Sequence, residues 1–117
     1  MRSNWGRCAL QAATDVVVEV LRLCARGLQQ AQIVATHSSR EASADAQLGV
    51  AMLHSAFNGA RANLEGKISS LTDTQYVTSV VDEIVRLSEE VTGAARSAED
   101  RDCGLTDRVF RKTRQLD

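Results

Sequence analysis

The chain has 117 residues with 14 Lys and Arg against 15 Asp and Glu, a net charge of −1. That balance gives no overall field to draw in nucleic acid or an anionic membrane. No apolar run approaches 18 residues and no signal-peptide pattern opens the chain, so a soluble, cytoplasmic protein is the expectation.

The length suits one domain that buries roughly 60 to 70% of its unfolded surface. Aromatic residues make up 3% and proline is absent. The core must therefore come from Ala, Val, Leu and Ile, and no helix is interrupted by a proline. A core this thin suits long helices that share an interface with another copy. Cys8, Cys24 and Cys103 are too far apart for a metal knuckle, and their odd number argues against a disulfide framework. Cys24 falls on an apolar helical face as a small hydrophobe. No metal site is expected.

Residues 1–8 read as a loose arm carrying Trp5, the sole tryptophan. A lone tryptophan often packs against a partner or a neighbouring helix; it is equally readable as a remnant without a role. A first helix follows from about Ala9 to Thr36. Val16, Val17, Val20, Leu21, Cys24, Leu28, Ala31 and Val34 or Ala35 recur at helical spacing. Val16 to Val18 are β-branched, but the surrounding period outvotes a strand. Thr14 and Asp15 could cap a break in the first turns.

His37 to Ala42 is a polar connection, and Ser38, Ser39 and Ser43 are candidate N-caps for a second helix from about Ser43 to Ser69. That helix would be about 40 Å long, too long for a compact monomer. Leu48, Met52, Ser55, Gly59, Ala62 and Gly66 share one of its faces. Most of that face is small, and two glycines inside a helix cost about 1 kcal/mol each against alanine. Such a face suits either a close helix crossing, with the Asn63 amide bonded to a neighbour, or the wall of a ligand site. His54 has no Cys or carboxylate at ligand spacing and reads as structural.

Thr72 or Asp73 caps a third helix that runs to about Glu99. Val77, Val80 or Val81, Ile84, Leu87 or Ser88, and Val91 give it a stripe close to a heptad. Asp82 and Arg86 form an i,i+4 pair, and Glu83, Glu89 and Glu90 read as a solvated acidic face. Residues 100–117 are a charged tail in which Gly104 is a natural stop. A last short helix carrying Val109, Phe110 and Leu116 follows. Arg108, Arg111, Lys112 and Arg114 make it basic.

The run from Asp45 to Asp73 resembles the later part of the formiminotetrahydrofolate cyclodeaminase and methenyltetrahydrofolate cyclohydrolase family. Asp45, Gly59-Ala60, Asn63, Leu71 and Asp73 fall on the family pattern without a gap. Ser43 lies near its serine-rich lead-in, and Ala12 to Val16 matches a segment further upstream. Val17, Gln47 and Lys67 stand where the family carries proline, glycine and asparagine. The resemblance spans about Ala9 to Glu99. It corresponds to the second half of the family domain, so a shortened relative is expected.

The resemblance implies an all-helical, dimeric scaffold and chemistry at the one-carbon bridge of a tetrahydrofolate derivative, assisted by general acid–base groups. Asp45 is the candidate catalytic residue. Asn63, His37 and Gly59 are candidate ligand-binding residues. The combined expectation is three long antiparallel helices plus a short C-terminal helix, assembling as an oligomeric bundle, a homodimer or tetramer. The missing motif positions favour a non-catalytic binding or interaction module without a resident cofactor. The alternative is a folate-dependent cyclohydrolase or cyclodeaminase.

Overall fold

The computed structural model describes residues 2–115, with side chains for residues 5–98 and 108–115. Three helices account for nearly all of it: α1 (Arg2–His37), α2 (Arg40–Ile68) and α3 (Thr74–Arg114). The chain is all-helical, as the periodicity predicts. Each helix packs against the other two, forming a rod 76 Å long and 18 Å across.

The helix ends follow from local chemistry. Ser39 caps α2 by accepting from Ala42 N. Asp73 caps α3 by accepting from Tyr76 N at 3.2 Å. Each cap satisfies one of the amides a helix start leaves open. Two expected boundaries move. The stretch read as a loose arm is helical from Arg2, and α1 continues through Thr14 and Asp15 without a break. Thr14 turns its hydroxyl back onto the Leu10 carbonyl at 2.7 Å. The C-terminal stretch is helical as expected, and its backbone continues α3 through Gly104. A glycine inside a helix costs only about 1 kcal/mol, and no proline enforces a stop.

The core lies along the common axis. In α2 the buried residues are Ser43, Val50, Phe57 and Leu64, one every seventh residue. The spacing is that of a coiled-coil seam. In α3 Val80, Ile84, Leu87, Val91, Ala94 and Ala98 are buried at alternating spacings of four and three, as the heptad reading requires. In α1 the buried set is Val18, Leu21, Cys24, Ala25, Leu28 and Ala35. Leu21, Cys24, Leu28 and Ala35 are residues the periodicity picks out, and Val17 and Ala31 pack against them, so the difference is confined to the valine run. Val18 faces the core, whereas Val16 is 65% exposed and Val20 41%. Three successive valines leave the seam ambiguous by one position, and tertiary packing chooses.

Cross-links fix the helix register. Gly27 lets α1 approach Leu53 of α2, and Ser43 Oγ donates to the Ala35 carbonyl at 3.3 Å. Between α1 and α3 the offset is constant. Arg22 meets Glu83, Gln29 meets Glu90 and Asp15 meets Tyr76, each 61 residues apart. Thus α1 and α3 run parallel, with α2 antiparallel between them in sequence. His37 ends level with Ala98, so the last turns of α3 stand beyond the hairpin.

The acidic face expected on α3 is partly engaged. Arg22 Nη2 donates to Glu83 Oε2 at 2.8 Å and its Nε donates to Oε1, a bidentate pair between helices. Arg86 pairs with Glu90 at 3.0 Å and Glu83 at 3.7 Å, not with Asp82. Both glutamates lie on the side of α3 that faces α1, where a second helix adds charge.

Candidate functional site

The outward side of α1 and α2 holds most of the sequence-predicted site residues, so its construction comes first. Between Asp45 and Arg61, α2 carries no Asp, Glu, Lys or Arg on any side. Its heptad seam turns Val50 and Phe57 inward. Leu48 and Met52 are left 63% and 66% exposed. Ser55, Gly59, Ala62 and Gly66 continue that exposed line. A Cβ added at Gly59 or Gly66 would meet nothing within 4 Å. The close crossing expected at this small-residue face is therefore not made within the chain. Two helical neighbours cover only the opposite side of α2.

α1 borders this face with a second apolar line. Val16, Val20, Leu23 and Val34 are exposed and recur at helical spacing. The charged residues of α1 between Cys8 and Thr36 are Asp15, Glu19, Arg22 and Arg26. Their spacings of four and three confine them to one narrow stripe. Arg22 and Asp15 bond to α3 from that stripe, which leaves the side next to α2 free of charge.

The predicted site residues divide into two groups. Asp45 is exposed in the second turn of α2. His37 is exposed at the end of α1, with Nδ1 3.0 Å from the Ile33 carbonyl. Both lie at the hairpin end of the rod. Gly59 and Asn63 are exposed one turn apart in the second half of α2. Asp45 and Asn63 are eighteen residues apart on one straight element, about 27 Å at 1.5 Å per residue. One copy of the chain therefore does not bring the carboxylate and the amide together. His54 is half-buried, facing away from the exposed line.

Gln47, at the position of the family glycine, serves the fold. Its Nε2 donates to the Ala98 carbonyl at 3.0 Å and ties α2 to α3.

An open cleft of about 560 Å³ runs between α2 and α3, with Ile84 and Val85 on its walls and Arg61, Glu65, Glu89 and Arg96 around it. Ser88 lines it, and its hydroxyl is enclosed without a hydrogen-bond partner. The charges there are of both signs. Arg61 already pairs with Glu65 at 3.5 Å.

The perturbed titrations lie elsewhere and have structural causes. Arg22 holds the Glu83 carboxyl below its usual range, and Glu83 in turn raises the guanidinium. Burial raises the Cys24 thiol. Burial, and then the bond to Asp15, push the Tyr76 hydroxyl up to about 12. The Tyr76 hydroxyl also donates toward the Gln11 carbonyl at 3.2 Å. Sequence reasoning missed Tyr76, Asp15 and the Arg22–Glu83 pair. Only helix register brings them together, and no local spacing encodes it.

Among the described residues no group of three His, Cys, Asp or Glu side chains gathers to hold a metal. Among the same residues no helix is long and apolar enough to cross a membrane.

Residues 2–86 match the family model described as formiminotransferase-cyclodeaminase. With most of its length matched, the chain belongs to that family. No curated protein and no solved structure matches it.

Proposed function

We propose that this chain is a non-catalytic, cyclodeaminase-like helical module that acts by self-association. The observation that carries this reading is the uncharged, apolar outward face of α1 and α2. Exposed apolar surface that is contiguous and free of charge marks an interaction site, and the outward line of α2 exposes Leu48 and Met52 with no charged residue between Asp45 and Arg61.

The test is mass in solution. Sedimentation at micromolar concentrations should give at least twice the chain mass of 12.7 kDa. Met52→Glu, which puts a charge on the exposed line, should lower it. A monomer at all concentrations would overturn the reading.

A second reading keeps the folate chemistry of the family, because Asp45, Gly59 and Asn63 retain its pattern. A reduced folate at about a hundred times its dissociation constant would stabilise the fold by about 2.7 kcal/mol. A saturable rise in unfolding temperature, removed by Asp45→Asn and accompanied by hydrolysis of a methenyl folate, would establish an enzyme. No shift at any soluble concentration would eliminate it.

A further inference from the structure

We propose that the last two turns of α3, from Arg108 to Gln115, rest on the surface of an anionic lipid bilayer. Val109 and Phe110 enter the acyl boundary, and the cations around them stay among the headgroups. The inference goes beyond self-association and does not depend on it.

The segment stands clear of the bundle. By the constant offset between α1 and α3, the end of α1 is level with Ala98. Arg108 lies ten residues on, about 15 Å further along the axis. α1 and α2 do not extend to that level, and every residue from Arg108 to Gln115 is exposed. The segment also lies outside residues 2–86, which match the family, so its pattern belongs to this chain rather than to the shared scaffold.

The overall charge of −1 conceals a local excess. Arg108, Arg111, Lys112 and Arg114 place four cations in two turns, with no acidic residue among them. Asp107 and Asp117 flank the run in the sequence and leave it positive. Cations in a last turn also complement the helix dipole, but the dipole does not account for what lies opposite them.

At about 100° per residue, the four cations spread over about 160° of the helix surface. Val109, Thr113 and Phe110 occupy the other side. Phe110 is 63% exposed and Val109 47%. Thr113, between them, donates its hydroxyl to the Val109 carbonyl at 2.9 Å. The one hydroxyl on the apolar side thus has its donor satisfied inside the helix. A basic arc backed by an apolar arc suits a helix end lying among headgroups, with cations toward anionic lipid and apolar side chains at the acyl boundary. A nucleic acid would use the cations and leave Phe110 in water.

Vesicle flotation with the full chain tests the contact. Vesicles of phosphatidylcholine alone are compared with vesicles in which roughly one-third of the lipid is phosphatidylserine. Each cation near an anionic surface strengthens binding about fivefold, so an excess of two cations over the flanking aspartates should favour the anionic vesicles about 25-fold. Arg108→Gln combined with Lys112→Gln should abolish that preference. Phe110→Ser removes no charge, yet it should weaken binding to the anionic vesicles about tenfold. All three positions are exposed, and circular dichroism checks that helicity is kept. No binding, or equal binding to both kinds of vesicle, overturns the proposal. A Phe110→Ser variant that binds as tightly as the original chain also overturns it. Capture of duplex RNA by that variant, lost in the doubly neutralised one, would then assign the segment to polyanions.

Discussion

Gly27 on α1 faces the end of Leu53 on α2, and a Cβ built at Gly27 would lie 3.0 Å from Leu53 Cδ1. The glycine sets how closely the hairpin closes. At Gly93 on α3 an added Cβ meets nothing within 4 Å. Gly93→Ala should therefore stabilise the chain by up to about 1 kcal/mol through helix propensity. Gly27→Ala should lose most or all of that gain by pressing on Leu53. Chemical denaturation of the two variants measures the difference, and equal gains would show that the contact does not constrain the hairpin.

Phe57 is 1% exposed at the centre of the α2 seam, and Leu64 is fully buried one heptad away. With so few aromatics in the chain, no neighbour can fill the space Phe57 leaves. Phe57→Ala should cost about 3–5 kcal/mol, a large part of the 5–15 kcal/mol typical of a domain. Urea unfolding should show a lower midpoint with the same slope. A loss under about 1 kcal/mol would mean that the seam is not the core.

The Arg22–Glu83 pair makes stability depend on acid. Glu83 has a folded pKa held down by the guanidinium. Its contribution is complete above the ordinary glutamate value of about 4.3 and is lost as pH falls through the depressed value. Arg22 is 42% exposed, so solvent screens the pair and the effect is modest. Glu83→Gln should flatten the acid limb of a melting-temperature profile between about pH 5 and 3, with little change in its shape above pH 6. An unchanged acid limb would assign acid sensitivity to other carboxylates.

Tyr76 is the single tyrosine, so its ionisation can be followed directly by ultraviolet absorbance. Its folded pKa of about 12 lies above the ordinary tyrosine value of about 10. The sign is opposite to that of Glu83. The contribution is complete below pH 10 and disappears as pH rises toward 12. Asp15→Asn should bring the midpoint down by removing the carboxylate acceptor, although burial, the larger cause, remains. A native midpoint near 10 would contradict the contact between α1 and α3.

Fold class was readable because helical periodicity is local. The heptad of Val80, Ile84, Leu87 and Val91 shows in the sequence and is buried in the structure, and Asp73 was among the two caps expected for α3. The seam of α1 was less legible, since Val16, Val17 and Val18 present similar apolar surface and only the position of α2 and α3 selects Val18. The candidate site was legible as residue types alone. Asp45 and Asn63 stand out by motif, but sequence does not reveal that a single straight helix holds them apart. The links from Arg22 to Glu83 and from Asp15 to Tyr76 depend on a 61-residue offset that no short window contains.

The two-residue connection Ser38–Ser39 has a consequence for the order of folding. Contacts near it, such as Ser43 with Ala35, close loops of under ten residues and cost little chain entropy. Every contact between α1 and α3 must wait for a loop of about 61. The hairpin should therefore zip from its turn outward and present a finished groove before α3 arrives. Mutations at Ala35 or Ser43 should slow folding, whereas those at Ile84 or Val91 should chiefly speed unfolding.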